Sequence, residues 1–275
     1  MAELTITLPD GSTRNLPVGA TGADLAADIG PGLAKAALVV TVDGDARDLD
    51  RVLPDGSTVS IITADSDDGL HTIRHSTAHV LAQAVLDLWP GATYAIGPPI
   101  QDGFYYDFEL PGGATFSNED LEAIEARMRR VIDADQAFER HEADADEALE
   151  LFSGHPYKQE IIEQVTSGAA TGELAGEAST DGSVTYYRNG EDFIDLCLGP
   201  HVPSTGRLGH FALQKVAGAY WRGDEKQPML QRIYGTAWAD KKALKGHLHR
   251  LVEAEKRDHR RLAAELDLVS WPESL

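Results

Sequence analysis

Two short histidine-containing stretches, more than a hundred residues apart, constrain the fold of this 275-residue sequence more than any other feature. The first is RHSTAH at positions 74–79, which opens a helix-like run to Trp89. On a helix, at about 100° per residue, His75 and His79 project from one face, one turn apart. This stretch therefore predicts a helix that carries two imidazoles at the edge of its apolar face.

The second stretch is DLCLGPH at positions 195–201. Asp195 and Cys197 alternate with apolar neighbours, a pattern typical of a strand with one face in the core and the other towards a cavity. Gly199-Pro200 then ends the strand and lets His201 turn back. The stretch thus predicts a strand that delivers a carboxylate, a thiol and an imidazole to one place.

Together the two stretches predict that His75, His79, Cys197 and His201 meet in one pocket. Each residue alone has a simpler interpretation, in which the histidines are half-buried, hydrogen-bonded side chains and the cysteine is a small buried hydrophobe. The combination favours a functional site, because it uses the only cysteine of the chain and three of its ten histidines.

The charge of the chain limits its partners. A net charge of −21 argues against a general nucleic-acid-binding protein. Residues 241–261 are an exception, with eight basic and three acidic residues, so that this segment carries +5 and the rest of the chain −26. Any contact with a polyanion should therefore be local. A solvated helix face is the alternative interpretation of this run.

The sequence also predicts a compartment. One cysteine excludes an internal disulfide, and the N-terminus lacks the charged and then apolar regions of a signal peptide. No run approaches the ~20 apolar residues of a membrane helix. We therefore expect a cytoplasmic protein with no membrane association.

Residues 3–63 predict a small β-rich module. Strand-like stretches at 4–8, 37–42 and 58–63 surround a short helix from Thr21 to Ile29, and the turn sequence LPDGST occurs at 8–13 and again at 53–58. Strand, strand, helix and further strands is the order of a β-grasp fold. Residues 64–69, with three aspartates, predict an acidic linker.

Beyond residue 69 the pattern mixes helices and strands without βαβ regularity, so the class is α+β. A capping-box sequence begins a helix at Ser117, and residues 166–183 predict a mobile loop. The predicted strands are 103–108, 138–141, 186–187, 193–198, 211–216 and 231–234. The predicted helices are 74–89, 117–132, 144–152, 155–165 and a long amphipathic one at 239–266.

Seven motifs then identify a family. In chain order they are HSTAH at 75–79, AIGP at 95–98, GFYYD at 103–107, PYK at 156–158, CLGPHVP at 197–203, RIYGTAW at 232–238 and DHRR at 258–261. The whole chain closely resembles the N-terminal half of bacterial threonyl-tRNA synthetases. The CLGPH and YGTAW sequences are the specific ones, whereas the first module alone would be weak evidence.

The resemblance implies three parts: a TGS domain of β-grasp, ubiquitin-like fold at 1–63, an α+β editing (aminoacyl-tRNA deacylase) domain at 64–238, and a linker helix at 239–275. It implies that the class II catalytic core, with its ATP, magnesium and zinc, lies outside these 275 residues. Aminoacylation is therefore not expected of them, and a homodimer is expected only of the full-length enzyme.

The function implied by the resemblance is hydrolysis of seryl-tRNA(Thr), at the acceptor end of tRNA(Thr), in protein biosynthesis. We expect His75 to place or activate water and Lys158 to stabilise the oxyanion or the leaving ribose oxygen. Asp195 would hold the seryl ammonium or the water, and Tyr106 would contact the terminal adenosine. The residues to which the resemblance assigns roles are His75, His79, Lys158, Asp195, Cys197 and His201.

Three chemistries remain open for the cluster. A metal-free hydrolytic site is favoured, so that editing requires no cofactor. Zinc on His75, His79, Cys197 and His201 is the second, and a nucleophilic Cys197 is the third. Two other functions remain as rivals: an alanyl-type, zinc-dependent trans-editing deacylase, and a non-catalytic β-grasp adaptor that binds RNA. Lys158 and Asp195 could in that last case form a merely structural ion pair.

Overall fold

A computed structural model describes residues 3–169 and 183–257 of the chain and confirms the α+β class. Buried apolar side chains form two clusters. The smaller one lies within residues 4–61. The larger one spans residues 64–237 and also takes in Leu38 from the first module. The candidate site lies in the larger cluster, beside its contact with the first module.

The first module is a β-grasp fold, as predicted. A hairpin is followed by two short helices and a three-stranded antiparallel sheet, and a parallel bridge between Thr7 and Thr58 joins the two sheets. Thr21 and Asp24 form a capping box at the start of the first helix. The elements are β1 (Glu3–Thr7), β2 (Thr13–Pro17), α1 (Gly22–Ile29), α2 (Pro31–Ala36), β3 (Ala37–Val42), β4 (Asp45–Asp48) and β5 (Val59–Thr63).

The acidic linker predicted at 64–69 is correct only for residues 64–66, which connect β5 to the next helix. The helix that carries the two histidines, α3, spans Asp67–Leu88 and begins well before residue 74. Ser66 caps it by accepting a hydrogen bond from Gly69 N, and Asp67 and Asp68 lie in its first turn. Carboxylates there interact favourably with the helix dipole, which explains why Asp67 and Asp68 belong to the helix and not to the linker.

In its described residues, the larger module contains two antiparallel sheets and, besides α3, four α-helices. One sheet has the order β12-β13-β8-β6, with β7 also paired to β8, and the other has the order β11-β10-β9. Its strands are β6 (Thr93–Tyr94), β7 (Pro99–Ile100), β8 (Gly103–Glu109), β9 (Phe138–Ala143), β10 (Val184–Asn189), β11 (Phe193–Leu196), β12 (Phe211–Tyr220) and β13 (Met229–Ala237). Its helices are α4 (Asn118–Asp133), α5 (Ala145–Leu151), α6 (Pro156–Thr166) and α7 (Lys241–Lys256).

Strand β8 has two faces with different environments. Phe104, Tyr106 and Phe108 belong to the larger hydrophobic cluster and lie on the side of α3. Tyr105 and Asp107 alternate with them and therefore point to the opposite side of the sheet. This alternation separates the candidate site from a second concave surface.

Two predicted segments differ from what is observed, and two others lie partly or mostly outside the described residues. Strand β11 ends at Leu196 rather than Leu198, so that Cys197 already lies in the turn. Helix α7 is amphipathic, but its only fully buried residue among 241–257 is His247, and Leu251 is 43% exposed. Most of the loop predicted at 166–183, and the end of the helix predicted to reach residue 266, lie outside the described residues. No described helix combines the length and the apolarity needed to cross a membrane.

Candidate active site

The four predicted histidine and cysteine side chains meet, as the sequence predicted. Helix α3 supplies His75 and His79, and the turn after β11 supplies Cys197 and His201. The Cys197 Sγ lies 3.2 Å from His75 Nε2 and 3.4 Å from His201 Nε2. The His79 and His201 rings lie 4.3 Å apart between centroids.

The turn that carries Cys197 and His201 is fixed by its backbone and its neighbours. Gly199 has φ 78°, a backbone conformation that favours glycine, and a Cβ at this position would lie 1.9 Å from the Tyr187 hydroxyl. Both the backbone conformation and the lack of space therefore require glycine. Ser76 Oγ lies 3.0 Å from His201 Nδ1 and accepts a hydrogen bond from Val202 N at 3.1 Å. These contacts orient the His201 ring towards the sulfur.

A carboxylate of the first module also holds this turn. Asp48, the last residue of β4, accepts hydrogen bonds from Tyr187 Oη at 2.6 Å and from His201 N at 2.9 Å. Burial raises the pKa of Asp48, although both hydrogen bonds act in the opposite direction. The β-grasp module is thus in direct contact with His201 of the cluster.

A buried ion pair lies next to the cluster. Lys158, in the first turn of α6, places its Nζ 2.5 Å from Asp195 Oδ1 on β11. Tyr106 donates a hydrogen bond to the other oxygen of Asp195 at 2.6 Å and accepts one from Lys158 Nζ at 3.1 Å. All three side chains are at most 2% exposed. Charges buried so deeply are retained only when paired, and here each charge has two partners.

The three histidines are neutral near pH 7. Burial lowers the pKa of His75 well below 6.5, and the nearby His79 and His71 imidazoles lower it further. Burial lowers the pKa of His79 to about 4, against the opposing effect of Asp195, and burial also lowers the pKa of His201 well below 6.5. The His79 Nδ1 lies 3.4 Å from Asp195 Oδ2 without forming a hydrogen bond, so this contact is not an ion pair at neutral pH.

The cluster and the ion pair open into one cavity of about 260 Å³. One wall of the cavity is the segment Ile96–Pro99, where a Cβ on Gly97 would lie 2.0 Å from the Tyr106 ring. The lining residues are His71, His75, His79, Ile96, Gly97, Pro98, Pro99, Tyr106, Lys158, Ile161, Asp195, Leu196, Cys197 and Gly199. All but one of the six predicted catalytic residues line this cavity, and His201 lies behind Cys197.

The cluster also suits a metal ion. One ligand atom from each of His75, His79, Cys197 and His201 lies within 4.8 Å of the others. Three imidazoles and a thiolate are a donor set that zinc accepts. Ser76 Oγ contacts His201 Nδ1, the ring nitrogen that does not face the sulfur, and zinc-binding histidines commonly have such a hydrogen-bond partner. The residues therefore fit zinc as well as they fit a metal-free site.

Sequence reasoning missed three residues of the site. His71 precedes His75 by four positions, and extending the same helical spacing by one turn would have found it. Ser76 lies within the first motif, but nothing in the sequence indicates that it contacts His201. Asp48 has no local signal at all, because its partners are 139 and 153 residues away in the chain.

Comparisons with known proteins point to the same family along the chain. The TGS domain family matches residues 4–63, and the family described as the threonyl and alanyl tRNA synthetase second additional domain matches residues 184–234. A threonine–tRNA ligase of Maricaulis maris is 54% identical over 273 residues, which cover 98% of this chain and 40% of that protein.

Threonine–tRNA ligases of other bacteria match this chain over a similar length. The threonine–tRNA ligase of Nitrosococcus oceani is 54% identical over 270 residues, and that of Rubrobacter xylanophilus is 49% identical over 267. The matches cover 98% and 97% of this chain and 39% of each of those proteins, so the chain spans about two fifths of the length of these curated relatives. The chain is therefore homologous to the N-terminal part of threonine–tRNA ligases, with a TGS domain followed by their second additional domain.

Proposed function

We propose that this chain hydrolyses the ester of seryl-tRNA(Thr) and so acts as the editing part of a threonine–tRNA ligase. The second additional domain is the editing domain of threonyl- and alanyl-tRNA synthetases. One observation carries the proposal to these residues: the His75–Cys197 pair and the buried Lys158–Asp195 pair open into the same cavity. We assign residues 1–63 to the TGS domain, 64–238 to the editing domain and 239–275 to a linker.

The chemistry of the two amino acids explains why such a site is useful. Serine lacks one methyl group of threonine, and a binding pocket distinguishes a methylene-sized difference by only about 1–3 kcal/mol. A second site that hydrolyses the wrong ester adds to that discrimination. Since both amino acids have the hydroxyl, this site would have to exclude threonine by crowding its methyl group, and the cavity of about 260 Å³ is small.

We assign water activation to His75. Because its pKa is lowered well below 6.5, its imidazole is neutral at pH 7 and can accept a proton. The water oxygen would attack the ester carbonyl carbon as His75 takes up a water proton. Cleavage of the bond to the ribose oxygen then releases serine, and the proton returns to the ribose hydroxyl.

Lys158 is the cation placed to stabilise the negative oxygen of that reaction. It is 2% exposed, lines the cavity and is held by Asp195 and Tyr106. A charge already fixed in a dry site stabilises a developing oxyanion without reorganisation. We expect Asp195 chiefly to hold Lys158, since its carboxylate already has close partners at both oxygens.

Tyr106 is more suited to hydrogen bonding than to stacking on adenosine. Its ring stacks on Phe108 and lies directly against Gly97, whereas its hydroxyl connects Lys158 with Asp195. We therefore expect the adenosine to lie against the Ile96–Pro99 wall of the cavity. The tyrosine would then orient the cation next to the ester.

A metal-free site is our first choice for the chemistry of the cluster. A nucleophilic Cys197 is our third choice, because the imidazoles next to its sulfur are neutral and one of them would first have to take up the thiol proton. The alternative is zinc on His75, His79, Cys197 and His201, where it would supply Lewis-acid chemistry. In both cases Lys158 keeps the same role.

The partner we propose is the acceptor end of tRNA(Thr). Helix α7 carries Lys241, Lys242, Lys245 and His249 around one shallow groove, which could contact backbone phosphates without recognising bases. We further propose a cytoplasmic location, as for other components of translation. Dimerisation is expected only with the catalytic core of the full-length enzyme.

The test is deacylation of seryl-tRNA(Thr) and threonyl-tRNA(Thr) by the 275-residue chain, with His75→Ala and a chelator-treated sample alongside. Rapid loss of serine alone, abolished by His75→Ala and unaffected by chelation, supports the metal-free site. Loss on chelation with recovery in zinc supports the metal-dependent site. A folded chain that releases neither amino acid contradicts the proposal and favours a non-catalytic RNA-binding module.

A further inference from the structure

A second concave surface lies on the other face of the sheet that carries Tyr106. Tyr105 on β8 is paired with Tyr234 on β13, which is in turn paired with Lys215 on β12. Direct cross-strand partners have their side chains on the same face of a sheet. Asp107 and Arg232 form the next cross-strand pair on this face, which is opposite to the one that faces α3.

These side chains alternate aromatic rings with cations. The Arg232 guanidinium lies 3.7 Å above the Tyr105 ring centroid, and the Lys215 ammonium lies 5.0 Å from that of Tyr234. The two tyrosine rings are 5.8 Å apart. Tyr105 is only 6% exposed beneath Arg232, so it supports the guanidinium, whose side chain is 23% exposed. Exposed aromatic rings and guanidinium planes on a sheet are the features with which several RNA-binding folds stack unpaired bases.

The surface continues into a cavity of about 640 Å³. The small Ala219 leaves room above the strand. The last residue of β12, Tyr220, is 43% exposed, and the turn that follows provides Trp221. The lining residues are Ile96, Tyr105, Asp107, Gln164, Ala219, Tyr220, Trp221, Arg222, Gly223 and Arg232.

This cavity adjoins the candidate active site. Ile96 lines both cavities, and helix α6 borders both, with Lys158 and Ile161 in the first and Gln164 in the second. A chain that enters the first cavity with its terminal nucleoside can therefore cross Ile96 and continue over the second. The two cavities therefore lie on opposite faces of β8 and share Ile96 as a common boundary.

The ion pairs on this surface favour the binding of nucleobases over the binding of phosphate groups. Arg232 forms two hydrogen bonds with Asp107, at 2.7 and 2.8 Å, and Arg222 pairs with Glu160 at 2.9 Å. Each guanidinium is therefore largely neutralised but has its plane fixed. A fixed guanidinium plane is a surface on which a nucleobase can stack.

We propose that this surface, lined by Tyr105, Tyr220 and Arg232, binds unpaired nucleotides that precede the terminal adenosine of the RNA substrate. The inference rests on the proposed deacylase function for the identity of the RNA end. It assigns to the second cavity the task of positioning the strand, so that the ester reaches Lys158 and His75. The recognition is by stacking and is therefore tolerant of base identity.

The experiment compares two substrates with the 275-residue chain: the seryl ester of adenosine, which reaches only the first cavity, and the seryl ester of the trinucleotide CpCpA. Binding of unacylated, 5′-fluorescein-labelled CpCpA is measured in parallel by anisotropy. The variants are Tyr220→Ala and Arg232→Lys. Arg232→Lys keeps a positive charge beside Asp107 but removes the planar guanidinium on which a base would stack. Met229→Ala is the control, since Met229 is the cross-strand partner of Tyr220, is 59% exposed and lines neither cavity.

Loss of one stacked base corresponds to about a five-fold or larger effect. We expect each variant to raise KM for the trinucleotide ester and Kd for CpCpA by at least about five-fold, with the adenosine ester and the Met229→Ala control unchanged. Equal values in the wild type and in folded variants would overturn the inference while leaving the hydrolase intact. If no ester is hydrolysed, the proposed function fails, and the anisotropy measurement still decides whether this surface binds RNA.

Discussion

Replacing Asp48 tests whether the β-grasp module shapes the active site. In Asp48→Ala the Tyr187 hydroxyl and the His201 amide would each lose a hydrogen-bond acceptor in a buried environment. An unsatisfied buried donor costs about 1–3 kcal/mol, so the two together cost about 2–6 kcal/mol. Burial raises the pKa of the Asp48 carboxylate, so removing this group also removes an unfavourable buried charge and offsets part of the cost. We therefore expect a net loss of unfolding free energy near the lower end of this range.

The effect should reach the chemistry through His201. This ring lies 3.4 Å from the Cys197 sulfur, and small displacements of positioning groups reduce rates by up to about 10²-fold. We therefore expect Asp48→Ala to slow deacylation of seryl-tRNA(Thr) by about 10- to 100-fold under single-turnover conditions. Urea unfolding should report a free energy of unfolding lower by about 2 kcal/mol or more.

The matched control is Asp48→Asn. The amide oxygen can accept the hydrogen bond from His201 N, and the amide nitrogen can donate to the Tyr187 oxygen. The contact with His201 is then unchanged, and at Tyr187 only the hydroxyl proton loses its acceptor. We expect this variant to deacylate within about three-fold of the wild type. Normal deacylation by Asp48→Ala would refute the reasoning, as would equal losses in both variants, because the second result would mean that the charge rather than the hydrogen bonds is required.

Three further predictions concern the site itself. Lys158→Met should abolish deacylation and lower the free energy of unfolding by about 3–5 kcal/mol, because Asp195 is left as an unpaired buried charge; adding Asp195→Leu should restore stability in chemical denaturation but not activity. Gly97→Ala should reduce deacylation at least about ten-fold with an unchanged circular dichroism spectrum, since its Cβ would lie 2.0 Å from the Tyr106 ring and displace it. In zinc-free protein, a His79 pKa of about 4 against 6.5 in the unfolded chain means that the unfolded state binds the proton first as pH falls. The free energy of unfolding should therefore fall by on the order of 3 kcal/mol, from this group alone, as the pH is lowered from 6.5 towards 4. In urea unfolding, His79→Gln should show a weaker dependence of this free energy on pH.

Local signals in the sequence were sufficient for much of the fold. The capping box at Ser117 and Asp120 begins α4 where it was predicted, and Thr21 begins α1, because these side chains satisfy the free amides of the first turn from nearby positions. The helical period alone placed His75 and His79 on one face. Local signals were misleading within residues 64–69, where α3 already begins at Asp67, because acidic residues are typical both of a linker and of the first turn of a helix.

Amphipathic periodicity was a weaker guide at the end of the described chain. The leucine spacing in α7 was correct as a helix signal, yet Leu251 is exposed and His247 is the residue that packs, against Trp238. Periodicity shows which residues share a face but not whether anything covers that face.

The sequence by itself determined the chemical inventory of the site: two imidazoles on one helix turn, and a carboxylate, a thiol and a third imidazole along one strand and its turn. Only the tertiary structure decided that Lys158 pairs with Asp195, that Asp48 of the β-grasp module holds His201, and that Tyr105 faces a second cavity. The physical reason is range. Helix periods and caps act over a few residues and can be read along the chain, whereas ion pairs, domain contacts and cavities arise from packing between elements that are distant in sequence.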